Sequence, residues 1–224
     1  MQGLKYTVDI VMCIDATGSM APIMDTVKDK ALKFYPDLSA ALAAKDKNVD
    51  VLRMKVVAFR DFYDKPGNAL TESPFFSLPE QQTEFQRFVR DLEPTDGGDE
   101  PESGLEALAV AIKSDWNTTG DRRREIIVMY TDASAHALDA GMSKPSNYPA
   151  GIPKNFNELT DWWAGQDNHV SQTAQRLIIY APDCNPWSDI SNEWENSIHY
   201  ASQAGAGLKE IDYETILSAI VKSV

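Results

Sequence analysis

Residues Val8 to Met20 read VDIVMCIDATGSM, a short apolar run that closes on a carboxylate and then sets two hydroxyls on alternate positions around a glycine. An apolar run of strand length bounded by turn residues is the signature of a strand covered on both faces. The tail Asp15-Ala16-Thr17-Gly18-Ser19 turns at Gly18, and Pro22 stands where the first helical turn tolerates proline. A strand that stops, turns and feeds a helix carries its loop at the carboxyl end of a parallel sheet, where open α/β folds bind ligands. Asp15, Thr17 and Ser19 therefore offer three hard oxygens to one point, a donor set suited to Mg2+ or a similar ion. The competing reading is that such residues only cap the following helix. The rest of the chain decides between the two.

Downstream, apolar residues fall at Ile23, Met24, Val27, Ala31, Phe34, Leu38 and Leu42, a helical period that Pro36 should kink or divide. Val49 to Phe59 reads as a second strand, Asp61 to Asn68 as turn material, and Phe75-Phe76 as a short edge strand. Ser77-Leu78-Pro79-Glu80 has the spacing of a capping box ahead of a helix with apolar face Phe85, Phe88, Val89 and Leu92. A loop from Glu93 to Pro101 contains Gly97-Gly98-Asp99. Leu105, Leu108, Ala109 and Ile112 then line another helix, with Glu102 in or near its first turn. Arg124 to Thr131 is a third buried strand that ends at Asp132. An excursion over 133–173 follows, holding a short helix at Phe156 to Trp163 and ordered by tryptophans that would seldom be left in water. Leu177 to Tyr180, Ala206 to Ile211 and Tyr213 to Val221 complete the pattern as strand, strand and helix. The alternation predicts one α/β domain over 1–224, a doubly wound, mostly parallel six-stranded sheet with helices on both faces.

The formal charge of −13 and the pI near 4.6 argue against nucleic acid or anionic lipid as partners. No apolar run is long enough to span a membrane and the first residues lack a signal-peptide pattern, so the expected location is cytoplasmic. The two cysteines, Cys13 inside the first strand and Cys184, do not suggest a disulfide framework. Arg122-Arg123-Arg124 reads as a solvated approach to a strand rather than an anion site. His136, His169 and His199 are too scattered for a local zinc motif, and no histidine is legible beside Cys184 to make it a nucleophile.

Three loops converge at one rim of the inferred sheet: Asp15-x-Thr17-x-Ser19, Asp99-Glu100-Pro101-Glu102 and Thr131-Asp132-Ala133. Gathering Asp15, Glu102 and Asp132 without a cation would oppose like charges, and a divalent ion removes that repulsion. The pattern resembles the von Willebrand factor A domain and its metal-ion-dependent adhesion site. The first loop matches the family's D-x-S/T-x-S through Asp15, Thr17 and Ser19. The loop Asp99-Glu100-Pro101-Glu102-Ser103-Gly104 is similar to the D-x-P-E-G loop of the beta-integrin and hemicentin-like branch, which makes Glu102 the ligand where the family more often has threonine. Tyr130-Thr131-Asp132-Ala133 is likewise close to that branch's T-D-A pattern, with Asp132 as ligand.

The resemblance implies a metal set of Asp15, Thr17, Ser19, Glu102 and Asp132 around Mg2+, with Mn2+ or Ca2+ as alternatives. It also implies an open position that takes an aspartate or glutamate from a partner protein. Some ligands of such a site bind directly and others hold coordinated waters. Pro22 and Ile23 stand where beta-integrins carry acidic residues for an adjacent second site, which is therefore not expected here. Bacterial stand-alone domains of this type act as adaptors or regulatory subunits, with ATPases, kinases or phosphatases among their partners, and are not enzymes. Tyr148, Trp162 and Trp163 are candidates for shaping the partner surface. A rival class is a Mg2+-dependent phosphoryl-transfer enzyme of the haloacid-dehalogenase type. That class needs a second aspartate where Thr17 stands and a downstream lysine motif that is not apparent.

Overall fold

The computed structural model describes residues 5–47, 49–64, 66–95, 100–202 and 213–223. Its strands are β1 (Tyr6–Asp15), β2 (Val51–Phe59), β3 (Leu70–Glu72), β4 (Phe76–Leu78), β5 (Arg122–Tyr130), β6 (Gln175–Pro182) and β7 (Ser197–Ser202). The helices are α1 (Ala21–Ala43), α2 (Gln82–Arg90), α3 (Gly104–Ile112), α4 (Phe156–Trp163), α5 (Trp187–Glu193) and α6 (Tyr213–Ser223). The sheet runs β3-β2-β1-β5-β6-β7, with β4 also on β2. β2, β1, β5, β6 and β7 are parallel, while β3 and β4 pair antiparallel with opposite ends of β2.

β1 is central, and its side chains alternate between two cores as the pleat requires. Val8, Ile10, Met12 and Ile14 pack with Phe34 and Leu38 of α1, Phe85 of α2 and Ile220 of α6. Val11 and Cys13 point the other way, among Leu105, Leu108 and Ile112 of α3, Leu159 of α4 and Ile190 of α5. Cys13 is a buried free thiol whose pKa burial drives upward. Register sets the site. Asp15 pairs with Phe59 and Ile14 with Tyr130, so the strands β1, β2 and β5 end flush at one rim.

The doubly wound, mostly parallel architecture is as expected, but the described residues hold seven strands rather than six. β4 is the edge strand expected at Phe75-Phe76, whereas β3, three residues long, pairs with β2 but is too short to show a period in the sequence. The strand expected at Ala206 to Ile211 lies outside the described residues. The parallel strand after β6 is β7, and α5 precedes it; neither was read from the sequence. Pro36 does not divide α1, which runs unbroken from Ala21 to Ala43. Phe34, Leu38 and Leu42 anchor it on both sides of the proline, which itself lies on the exposed face. The capping box does not form either. Ser77 is a strand residue paired with Arg53, and its N–H donates to Gln81 Oε1 (2.9 Å), so α2 begins only at Gln82. Trp162 and Trp163 are buried in the α3–α4 core and do not face the rim. No helix among the described residues is long and apolar enough to cross a membrane.

Candidate functional site

The first loop leaves β1 at Asp15 and enters a 3-10 turn at Gly18–Met20 that runs directly into α1. Ala16 is tied to β2 through its N–H and the carbonyl of Phe59 (2.8 Å), which fixes the loop against the sheet end. Asp15 is wholly buried. Its Oδ1 accepts from the Thr17 N–H (2.9 Å) and hydroxyl (2.6 Å), and its Oδ2 accepts from the Thr131 hydroxyl (2.6 Å). Ser19 Oγ lies 3.0 Å from Thr17 Oγ1 and donates to Asp132 Oδ1, also at 3.0 Å. One chain of polar contacts thus joins Asp15, Thr17, Ser19 and Asp132 across two loops more than a hundred residues apart.

Burial pushes the Asp15 carboxyl up to about 6, against the hydrogen bonds from Thr131 and Thr17 and with the Asp132 charge adding to the rise. Asp132 is also raised, first by burial, with Ser19 and its own backbone opposing and Glu100 adding. Its second oxygen, Oδ2, is buried and has no hydrogen-bond partner. An orphaned carboxylate oxygen of this kind costs about 1–3 kcal/mol unless something positive meets it.

Glu102 lies on the second loop. Its backbone bridges to the third loop: its N–H donates to the Ser134 carbonyl (3.0 Å) and its carbonyl accepts from the His136 N–H (2.9 Å). Among the described residues, no three His, Cys, Asp or Glu side chains gather to hold a metal ion. Asp15 and Asp132 are joined through the hydroxyls of Thr17 and Ser19.

The donor set nonetheless suits a hard cation. Each hydroxyl has one proton, and Thr17 and Ser19 each have a carboxylate to give it to. With both protons so placed, the 3.0 Å contact between the two oxygens has none left, and Ser19 touches Asp132, whose second oxygen is orphaned. Hydroxyl and carboxylate oxygens are the ligands Mg2+ prefers.

Further residues hold the rim, and only their positions in space reveal them. Asp61, just past β2, takes Ser103 Oγ (3.3 Å) and lies 3.2 Å from His136 Nε2, so one carboxylate ties the second and third loops. Burial would raise Asp61, but its bonds from His136, the Tyr63 N–H and Ser103 lower it overall. Tyr148 donates to Glu106 Oε1 (2.8 Å), pinning the excursion to α3. Trp187, at the start of α5, is fully buried and donates to the Ala133 carbonyl (2.9 Å). Its ring lies so close to Gly104 that a Cβ there would meet it at 2.8 Å, which is why α3 opens on glycine. Ser103 and His136 thus both approach the same carboxylate. Burial, Glu100 and Asp183 all raise the Cys184 thiol pKa.

A family model described as von Willebrand factor A domain matches residues 9–143. The alpha-protein kinase vwkA of Dictyostelium discoideum is 27% identical over 149 residues, 66% of this chain and 22% of that protein. The chain thus spans about a fifth of that relative. Among solved structures, the pilus adhesin SpaC from Lactobacillus rhamnosus GG aligns with a TM-score of 0.57 at 11% identity, covering 99% of this chain and 31% of that one. Proximal thread matrix protein 1 from the mussel byssus aligns with a TM-score of 0.54 at 10% identity, covering 98% and 48%. At these identities the likeness shows the fold alone.

Proposed function

Because the chain belongs to the von Willebrand factor A domain family, we propose that it is a protein-binding module whose rim holds Mg2+ and takes a carboxylate from its partner. The observation that carries the reading is the orphaned Asp132 Oδ2 together with two hydroxyl oxygens whose protons are already committed. In this reading Thr17, Ser19 and Asp132 hold the ion, with Mn2+ or Ca2+ as alternatives. Asp15 would orient the Thr17 hydroxyl, and Glu102 from the second loop would complete the set. The bound cation supplies an electrophilic position that an aspartate or glutamate side chain completes. Such a contact is charge-assisted and partly desolvated, hence strong.

The role is recognition rather than catalysis: among the described residues, neither Cys184 nor Ser103 is paired with the base a nucleophile needs. The likeness to an alpha-protein kinase makes kinases one class of partner to test, beside ATPases and phosphatases. Calorimetry tests the reading directly. We expect saturable Mg2+ binding by the wild type that is lost in Asp132→Ala and at least about tenfold weaker in Ser19→Ala, where a charged ligand is kept but a direct oxygen is removed. Equal binding by all three proteins overturns it. A pull-down with and without EDTA, with Asp15→Ala as control, then identifies the partner.

A further inference from the structure

At the end of the sheet where the parallel strands begin, the face that carries α3 and α4 turns polar. Register sets Arg53 of β2, Asp9 of β1, Glu125 of β5 and Gln175 of β6 in one row. Alternation puts that row on the same face as Val11, Ile127 and Leu177. Asp9 is fully engaged there: the Arg53 Nε donates to its Oδ1 (2.8 Å), and the Asn117 N–H donates to its Oδ2 (2.6 Å). Glu125 differs. It is only 3% exposed, yet one of its oxygens accepts from the Ser171 N–H (2.7 Å) while the other has just the Arg123 guanidinium opposite, 3.9 Å away. That separation is beyond hydrogen-bond distance.

Arg123 and Glu125 both line a cavity of about 800 Å3, walled by the residues that follow α3 and by the loop from α4 to β6. Asp115, Thr118 and Asn168 stand exposed on its wall, and among the described residues their side chains make no hydrogen bond. A volume of this size is typical of small-molecule sites. The gap between Arg123 and Glu125 selects the kind of group that fills it. An anion drawn to Arg123 is repelled by Glu125, and a cation drawn to Glu125 is repelled by Arg123. A hydroxyl is neutral and has both roles, so it gives its proton to Glu125 and accepts one from Arg123 at the same time. The wall repeats the mixture of donors and acceptors, which calls for several hydroxyls carried on one frame.

We propose that this cavity binds a sugar, either free or at the end of a glycan, with one ring hydroxyl set between Arg123 and Glu125. The remaining hydroxyls meet Asp115, Thr118 and Asn168. The site lies at the far end of the strands from Asp132 and does not depend on the reading of that rim.

The test is saturation-transfer NMR on the full chain in EDTA, which removes any contribution from metal, with glucose, galactose, mannose and N-acetylglucosamine as probes. At least one should bind with a dissociation constant on the order of 1 mM, the weak affinity that a few hydrogen bonds give. Arg123→Gln should weaken that sugar at least about tenfold, because a charge-assisted contact is lost. Asp115→Ala, at an exposed position that folding does not need, should weaken it at least about threefold. Arg87→Gln on α2 and Asp132→Ala at the rim should bind as the wild type does. A methyl glycoside that binds as well as the free sugar identifies a glycan end, and loss of binding on methylation identifies a free sugar. Absence of binding by all four sugars overturns the proposal, as does undiminished binding in both cavity variants. Tighter binding of inorganic phosphate, or of N-acetylglycinamide as a peptide stand-in, than of any sugar also overturns it.

Discussion

Asp15 and Glu106 are two fully buried carboxylates with different fates. Asp15 is met by two hydroxyls and an N–H, whereas Glu106 has the Tyr148 hydroxyl on one oxygen and no hydrogen-bond partner on the other. Burial raises Glu106 above its ordinary value of 4.5, opposed by the Tyr148 hydrogen bond. The folded protein therefore binds a proton there that the unfolded chain has already released. Stability falls as pH rises from the ordinary glutamate value through the raised one. Glu106→Gln keeps an acceptor for Tyr148 and removes the charge. We expect it to flatten the pH dependence across that window and to be more stable than wild type at neutral pH, as read by urea unfolding at a series of pH values. An unchanged slope would assign the dependence to other groups. Residues of this kind were hidden in the sequence. Thr17, Ser19 and Asp132 could be found because hydroxyls and carboxylates cluster locally at strand ends. Asp61, His136 and Glu106 could not, because their partners lie on other loops and no spacing rule connects them. Glu102 shows the same from the other side: the motif singles out its side chain, while its backbone bridge to Ala135 has no signal in the sequence.

α1 passes through Pro36 without a break, its proline on the exposed face. A proline inside a helix removes one backbone hydrogen bond and crowds the preceding turn. Pro36→Ala restores the donor in a helix already held by Phe34 and Leu38, and should raise the unfolding free energy by about 1–3 kcal/mol in denaturant titration. A loss of stability would show that the proline sets a bend on which the packing depends. The same balance between local signal and tertiary contact decided what the sequence made legible. β1 and α4 were readable because each carries its full apolar pattern within its own residues. β7 was not: SIHYAS has one large aliphatic side chain, Ile198, and that one is 46% exposed. Ser77 misled for a related reason. The capping spacing is present, but pairing with β2 claims the residue first.

Across the whole molecule, the sheet separates two cores and also two ends. β1 is ten residues long, which puts Arg122 and Arg176, at the starting end of the strands, about 30 Å from the rim, with packed strands between. Sites so far apart with no shared partner behave independently. The changes in unfolding free energy caused by Asp132→Ala and by Arg122→Gln/Arg176→Gln should therefore add within about 0.5 kcal/mol in the combined variant. A larger discrepancy, measured by the same denaturant titrations, would reveal communication along the strands. At the rim itself, the indole of Trp187 is sealed from water while its N–H grips the carbonyl one residue beyond Asp132. Any displacement of that loop must lengthen, bend or break this contact and change the polarity felt by the ring. In a variant whose other four tryptophans are replaced by phenylalanine, the colour and brightness of Trp187 would therefore report any change at that loop without a label.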